Sequence, residues 1–178
     1  VTRPPRTLLI AVTSACGLVA AVIFLHALPE VTATCGLPPL DTRPFWTRTE
    51  AIELARACDG PGIAAYTRLA LLDLLHPALV AGTLVLWVRW SRSPRPRAAI
   101  AVQTIIVLGA VADYLENWTV WTFLRGGPDL ATSIPLTVGG GFSLAKNVLV
   151  LLGVLAAAVL ILDAMRHRAL SRRAARET

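Results

Sequence analysis

Charge is scarce in this sequence. Only 16% of its 178 residues are Asp, Glu, Lys or Arg, against 55% hydrophobic, and so few ionisable groups cannot coat a soluble domain with that much apolar side chain to hide. Catalytic signatures are missing too. No phosphate loop, dinucleotide fingerprint, GxSxG elbow, HExxH or paired-cysteine spacing occurs, so neither nucleotide chemistry nor a metal site is expected from motifs. The absence of internal repeats and low-complexity tracts makes residues 1–178 a single domain.

What is present is four apolar blocks, at about 7–28, 63–88, 98–124 and 142–163. Each is long enough to cross ~30 Å of hydrocarbon at ~1.5 Å per residue. Backbone polar groups cannot stay unpaired in lipid, so the blocks are expected to be helices. The fold class is therefore an all-α integral membrane four-helix bundle. The first block follows Arg3 and Arg6 and has the outline of a signal peptide, but its apolar core exceeds the usual length, so a retained span is expected.

The net charge of +6 does not point to nucleic acid. Eleven of the seventeen basic residues lie before the first block, between blocks two and three, or in the basic tail 164–178. The loop 29–62 carries three arginines against five acids. By the positive-inside rule both termini face the cytoplasm, in the inner membrane of a bacterial cell. Trp87 and Trp90 then mark the inner interface, Trp118 and Trp121 the outer one.

The long outer loop holds Cys35 and Cys58, which an extracytoplasmic compartment would allow to pair or leave as free thiols. Thr47 and Glu50 have capping-box spacing and predict a short helix from Arg48 to Cys58, lying over the bundle mouth either as a lid or as filling between spans. The second outer loop carries glycine runs at Gly126–Gly127 and Gly139–Gly141, which permit close backbone approach.

Ionisable residues inside spans are costly and are usually kept for pairing, cavity lining or function. Asp73 and His76 fall near mid-membrane in the second span; Asp113, Glu116 and Asn117 lie in the outer half of the third; Ser143, Lys146 and Asn147 open the fourth. The inner half is nearly pure aliphatic, with Gln103 the main exception. A polar pocket opening outward over a dry floor is expected. Asp113, Glu116 and Asn117, at i, i+3 and i+4, share one helix face. Two carboxyls one turn apart cannot both ionise cheaply, so the pair holds a proton unless Lys146 or His76 neutralises it. Pro77 cannot donate to the Asp73 carbonyl and predicts a kink beside these groups. The duller reading makes Asp113 and Glu116 an ion-pair network with Lys146 and Arg68, His76 a packed histidine, and Trp118 and Trp121 interfacial anchors rather than cation-sheltering rings. Ser143 and Lys146 also match SxxK, without its companion motifs.

Asp73 with Pro77, the run Asp113, Tyr114, Leu115, Glu116, Asn117, and Lys146 together resemble a group of small, uncharacterised bacterial four-helix membrane proteins with a DxxEN motif. The resemblance covers the last three spans and implies a fold rather than an activity; His76 stands where that group usually has a nonpolar residue. Acids and Trp near the membrane midplane are also loosely similar to EXPERA-type bundles, whose enzymes isomerise sterols by proton transfer.

The expected function is a cofactor-independent enzyme, a terpene cyclase or isomerase, acting on an isoprenoid or sterol-like lipid. Asp113, Glu116 and Asp73 are its candidate catalytic groups, and Asn117, His76, Lys146, Trp118 and Trp121 bind or orient substrate. The alternative is a non-catalytic assembly or lipid-binding protein with structural charges. Expected partners are the bilayer, a lipophilic small molecule and, as a possibility for so small a bundle, a second copy of the chain.

Overall fold

The computed structural model describes residues 3–126 and 134–177, with side chains in the last helix described for 138–171 and 173. Those residues form helices and connecting turns, with no strand among them. Four helical rods, Arg6–Cys35, Gly60–Ser91, Pro96–Gly126 and Val138–Ser171, are long and apolar enough to cross a membrane. The protein is an all-α, multi-pass membrane bundle. Large apolar side chains such as Ile10, Leu18, Leu25, Leu151 and Val159 are exposed on its flanks, where a bilayer covers them.

The first rod runs further than expected. Helix α1 (Arg6–Val22) starts after Pro5 in extended geometry, and the chain then widens into a π-helical segment, Ile23–Ala27. Pro29 has no N–H to offer the Leu25 carbonyl, and the wider turn absorbs that defect, so α2 (Leu28–Cys35) continues the rod to a left-handed Gly36 at φ 68°. Residues 29–35, read from sequence as loop, are therefore helical.

The connection to the second rod is a packed cap. A 3₁₀ turn at Leu40–Thr42 leads to α3 (Arg48–Ala57), whose N-terminus is the expected capping box: Glu50 N–H donates to the Thr47 hydroxyl and the Glu50 carboxylate accepts from Thr47 N–H. Cys35 and Cys58 form a disulfide, and Gly62 packs so closely on Cys35 Sγ that a Cβ there would sit at 2.8 Å. Leu40, Trp46, Ala51 and Leu54 are buried against Val31, Ala65, Leu69 and Phe123. The short helix is thus part of the core at this end.

The second rod breaks where Pro77 requires. Helix α4 (Gly60–Asp73) is capped by Asp59 and stops; α5 (His76–Ser91) resumes after Leu74 and Leu75. The Tyr114 hydroxyl donates to the exposed Leu74 carbonyl at 2.8 Å, satisfying a backbone group that the break frees in lipid. α5 ends at Arg92 with φ 49°, and α6 (Pro96–Gly126) and α7 (Ile134–Glu177) follow. Residues 164–177, expected as a basic tail, continue α7 as helix. Gly109 and Gly153 let α6 and α7 close on each other: a Cβ on Gly153 would meet Ile106 at 3.0 Å. The Gly127–Pro128 part of the expected second loop lies outside the described residues, and Gly139–Gly141 belong to α7.

A cluster of arginines marks the end opposite the cap. Arg3 stacks on the Trp90 ring at 4.1 Å, Arg95 pairs with Asp163 at 3.6 Å, and Arg168 donates to the Ser91 carbonyl. Trp87 and Trp90 meet edge to face at this end, and Trp87 donates to Thr13.

Candidate functional site

Lys146, the only lysine of the chain, is the hub of the polar groups. It projects from α7 with 9% of its surface exposed and pairs with Glu116 and, at 3.4 Å, with Asp113, both from α6. Its third partner comes from the cap: the Asp41 backbone carbonyl accepts from Nζ at 3.3 Å. An ammonium has three N–H groups, and here they face three oxygens. The i, i+3 spacing of Asp113 and Glu116 brings both carboxyls to one ammonium.

Glu116 is completely buried. Its other oxygen accepts from Trp46 Nε1 at 3.0 Å, and Trp46 is itself only 1% exposed. The ring fits because α7 presents glycine: a Cβ on Gly139 would overlap the ring and one on Gly140 would overlap the Trp46 carbonyl. Ser143 donates to the Arg43 carbonyl at 2.8 Å, which commits its hydroxyl to holding the cap rather than to an SxxK-type nucleophile. Arg68 does not join this network. It pairs with Glu30 at 2.5 Å, on the outside of α2 and α4.

Asp41, the nearest acid on the cap, accepts from the Tyr66 hydroxyl at 3.0 Å, and Tyr66 in turn accepts from Leu40 N–H. Burial and the neighbouring Glu116 carboxyl push Asp41 up to about 7, against the pull of Lys146. At the rim, hydrogen bonds from Thr47 and the Arg43 guanidinium hold Glu50 below its ordinary value.

A cavity of about 370 Å³ lies beside the hub. Asp41, Asp73, His76, Asp113, Lys146 and Asn147 form its polar side, and Ile23, Phe24, Leu28, Leu69 and Val150 its apolar side. His76 Nδ1 stands 3.7 Å from Asp73 Oδ1 across the α4–α5 break. Below, a narrower apolar slot of about 70 Å³ shares His76, Asp113 and Val150 with the cavity and continues along Pro77, Val80, Ala81, Leu84 and Ile106. Asp41 and Thr42 of the cap roof the site where the opening through the bundle mouth was expected, and Ile23 and Phe24 of the π segment with Leu28 of α2 form the wall facing α7.

Of the residues singled out from sequence, Asp73, His76, Asp113 and Lys146 share this cavity. Glu116 is in the same cluster but outside the lining. Asn117 faces the other way, into a small gap with Asp41, Tyr66, Asp73 and Trp121, and into a groove of about 270 Å³ on the flank. Trp118 lies 58% exposed in that groove with Leu71, Leu74 and Tyr114, away from the acid cavity, and Trp121 lies under Arg125 at 4.6 Å. Sequence reading missed Asp41, Trp46 and Tyr66. The glycines at 139 and 140 were the one signal that another backbone approaches α7 there, but they do not name Trp46.

No family model matches the chain. No curated protein or solved structure matches it significantly either. What the site can do follows from its own chemistry. The Asp113 and Glu116 carboxyls and the Asp41 carbonyl meet one ammonium, and the Asp41 and Asp73 carboxyls line the cavity beside it. Glu116, Lys146 and Trp46 are mutually saturated and fix the cap to the bundle. Asp73 and His76, with Asp113 beside its Lys146 partner, line the open cavity.

Proposed function

We propose that this protein is a membrane-embedded enzyme that performs cofactor-independent acid–base chemistry on an amphiphilic, isoprenoid- or sterol-like substrate. The observation that carries the reading is the continuity of the carboxyl- and imidazole-lined cavity with an apolar slot that runs deeper into the bundle. A reactive group held beside Asp113 while its hydrocarbon fills the slot is the arrangement such chemistry needs.

In an isomerisation, Asp113 in its protonated form, with Lys146 then paired to Glu116, gives its proton to one alkene carbon, and the Asp73–His76 pair removes a proton from the carbon next to the resulting cation. The double bond moves by one position and no electrons leave the substrate. Cyclisation differs only in that a second alkene attacks the cation before the proton is lost. Acidic side chains around the cavity favour the cationic intermediate over the neutral ground state. Lys146 and Glu116 position Asp113, and Asn117 lines the small gap behind Asp73. The site operates in a bacterial inner membrane with both termini in the cytoplasm; the clustering of arginines at one end of the bundle supports that orientation.

The test is to incubate purified protein, and its Asp113→Asn variant, with a panel of isoprenoid alkenes, epoxides and sterols and to analyse products by mass spectrometry. Turnover by the wild type that falls at least a hundredfold in Asp113→Asn is expected. A wild type inert across the panel defeats the proposal. The complete burial of Glu116 against Lys146 and Trp46 supports the second reading, a non-catalytic membrane assembly whose charges only lock helices and cap together.

A further inference from the structure

The cavity lining holds more acidic than basic side chains. Its only ammonium is spent on Glu116, Asp113 and the Asp41 carbonyl, and its only other basic group, His76, faces Asp73. Arg43, the nearest guanidinium of the cap, is held by Glu50 and the Pro38 carbonyl. Among the described lining residues no cationic group is left to receive a phosphate, which needs several donors in a buried site.

Acceptors, in contrast, are in surplus. Asp41 Oδ1 is buried and has no hydrogen-bond donor among the described residues, and Asp41, Asp73 and Asp113 together bring three carboxyls to the cavity wall. Lys146 meets Asp113 through one oxygen, at 3.4 Å. Unsatisfied buried acceptors are costly, and a ligand carrying N–H donors and positive charge relieves that cost. The apolar side of the same cavity, from Ile23, Phe24 and Leu28 on one wall to Val150 on the other, leads into the slot along Val80, Ala81 and Leu84 and suits a hydrocarbon chain.

Entry follows from the same walls. The cap closes the end of the bundle with a disulfide and a buried Trp46, whereas the cavity lies between the π segment of the first rod and α7. Phe24, 60% exposed at that wall, faces the bilayer. The way in is lateral, from the membrane, which only a lipid-soluble molecule can use.

We infer that this cavity binds a single-chain amphiphile bearing a protonated amine, admitted from the bilayer between the first and fourth rods, and that it excludes phosphorylated and diphosphorylated lipids. The inference rests on the proposed site but not on its turnover, since an ammonium held among Asp41, Asp73 and Asp113 is bound whether or not it reacts. Its affinity should also rise with pH through the neutral range. Asp41, faced by Tyr66 and Asp73 from α4, Glu116 from α6 and Lys146 from α7, releases its proton there and adds a negative charge to the wall.

The experiment uses the full chain in maltoside micelles, with n-dodecylamine, n-dodecyl phosphate and 1-dodecanol as probes at equal mole fractions, read by the shift in thermal unfolding. Dodecylamine should raise the unfolding temperature saturably, the phosphate should not, and the alcohol should fall between. In Asp73→Asn/Asp113→Asn the half-saturating amine fraction should rise at least tenfold. If that variant lacks a cooperative transition, the wild type alone decides, through the amine-to-phosphate preference and a severalfold tighter amine response at pH 8 than at pH 6. Equal or greater stabilisation by dodecyl phosphate, or an amine response unchanged in the variant, overturns the inference. Amine binding with no turnover across the isoprenoid panel would leave this inference standing and remove the enzyme, whereas turnover of neutral lipids without amine binding would do the reverse.

Discussion

Asp41 sets up the sharpest physical test of the cap. Its carboxyl, ordinarily near 3.8, is raised to about 7 in the folded chain by burial and by the Glu116 carboxyl. Between those values the folded protein holds a proton that the unfolded chain has released. Stability therefore falls as pH rises from about 4 to about 7 and levels off above, and the contribution is fully present only below the lower value. A shift of about 3 units corresponds to about 4 kcal/mol at most, on the order of 10 °C in a chain of this size. Asp41→Asn keeps an oxygen for the Tyr66 hydroxyl but cannot ionise. Unfolding followed by tryptophan fluorescence in maltoside, from pH 4.5 to 8, should show the wild type losing stability against the variant across that window. Because Glu116, Asp73 and Lys146 stay in both proteins, the difference isolates Asp41. Parallel profiles would show that Asp41 is ionised and solvated in the folded state, and the buried cap described above would be wrong.

Three further outcomes follow from the packing. Gly140→Ala places a methyl on the Trp46 carbonyl and should destabilise by about 1–3 kcal/mol, whereas Gly141→Ala, with open space around its Cβ, should cost far less; thermal melts of the two variants decide. Lys146→Met strips Glu116 and Asp113 of their counter-charge and should cost about 3–5 kcal/mol, with much of the loss recovered by adding Glu116→Gln; no recovery would mean that the pair is not coupled. Replacing Cys35 and Cys58 together by Ser opens a bridge between residues 23 apart and should cost about 3 kcal/mol by chain entropy, read as a lower melting temperature matched by reducing the wild type.

Bundle, spans and cap helix were legible along the chain because each rests on a local quantity. Hydrocarbon thickness against rise per residue fixes a span, Thr47 and Glu50 satisfy each other three residues apart, and Pro77 breaks a helix by lacking an N–H. Asp113 and Glu116 could be placed on one face for the same reason. Pro29 showed where local reasoning stops. It looked like a helix end, but a π segment together with packing of Val31 and Cys35 on the cap carried the rod onward.

The choice of partners was decided only in three dimensions. Arg68 and Lys146 are both cations within reach of acids by sequence, yet one meets Glu30 on the surface and the other Glu116 in the core. Trp46 and Asp41 lie in a loop with no period to place them, and they reach Glu116 and Lys146 across 70 and 105 residues. Sequence by itself determined that helices would cross a membrane and that polar groups would sit at matched depth, because those follow from periodicity and solvent. Which carboxyl is sealed and which faces a cavity depends on how rods and cap close on one another, a matter of long-range packing that no local pattern encodes.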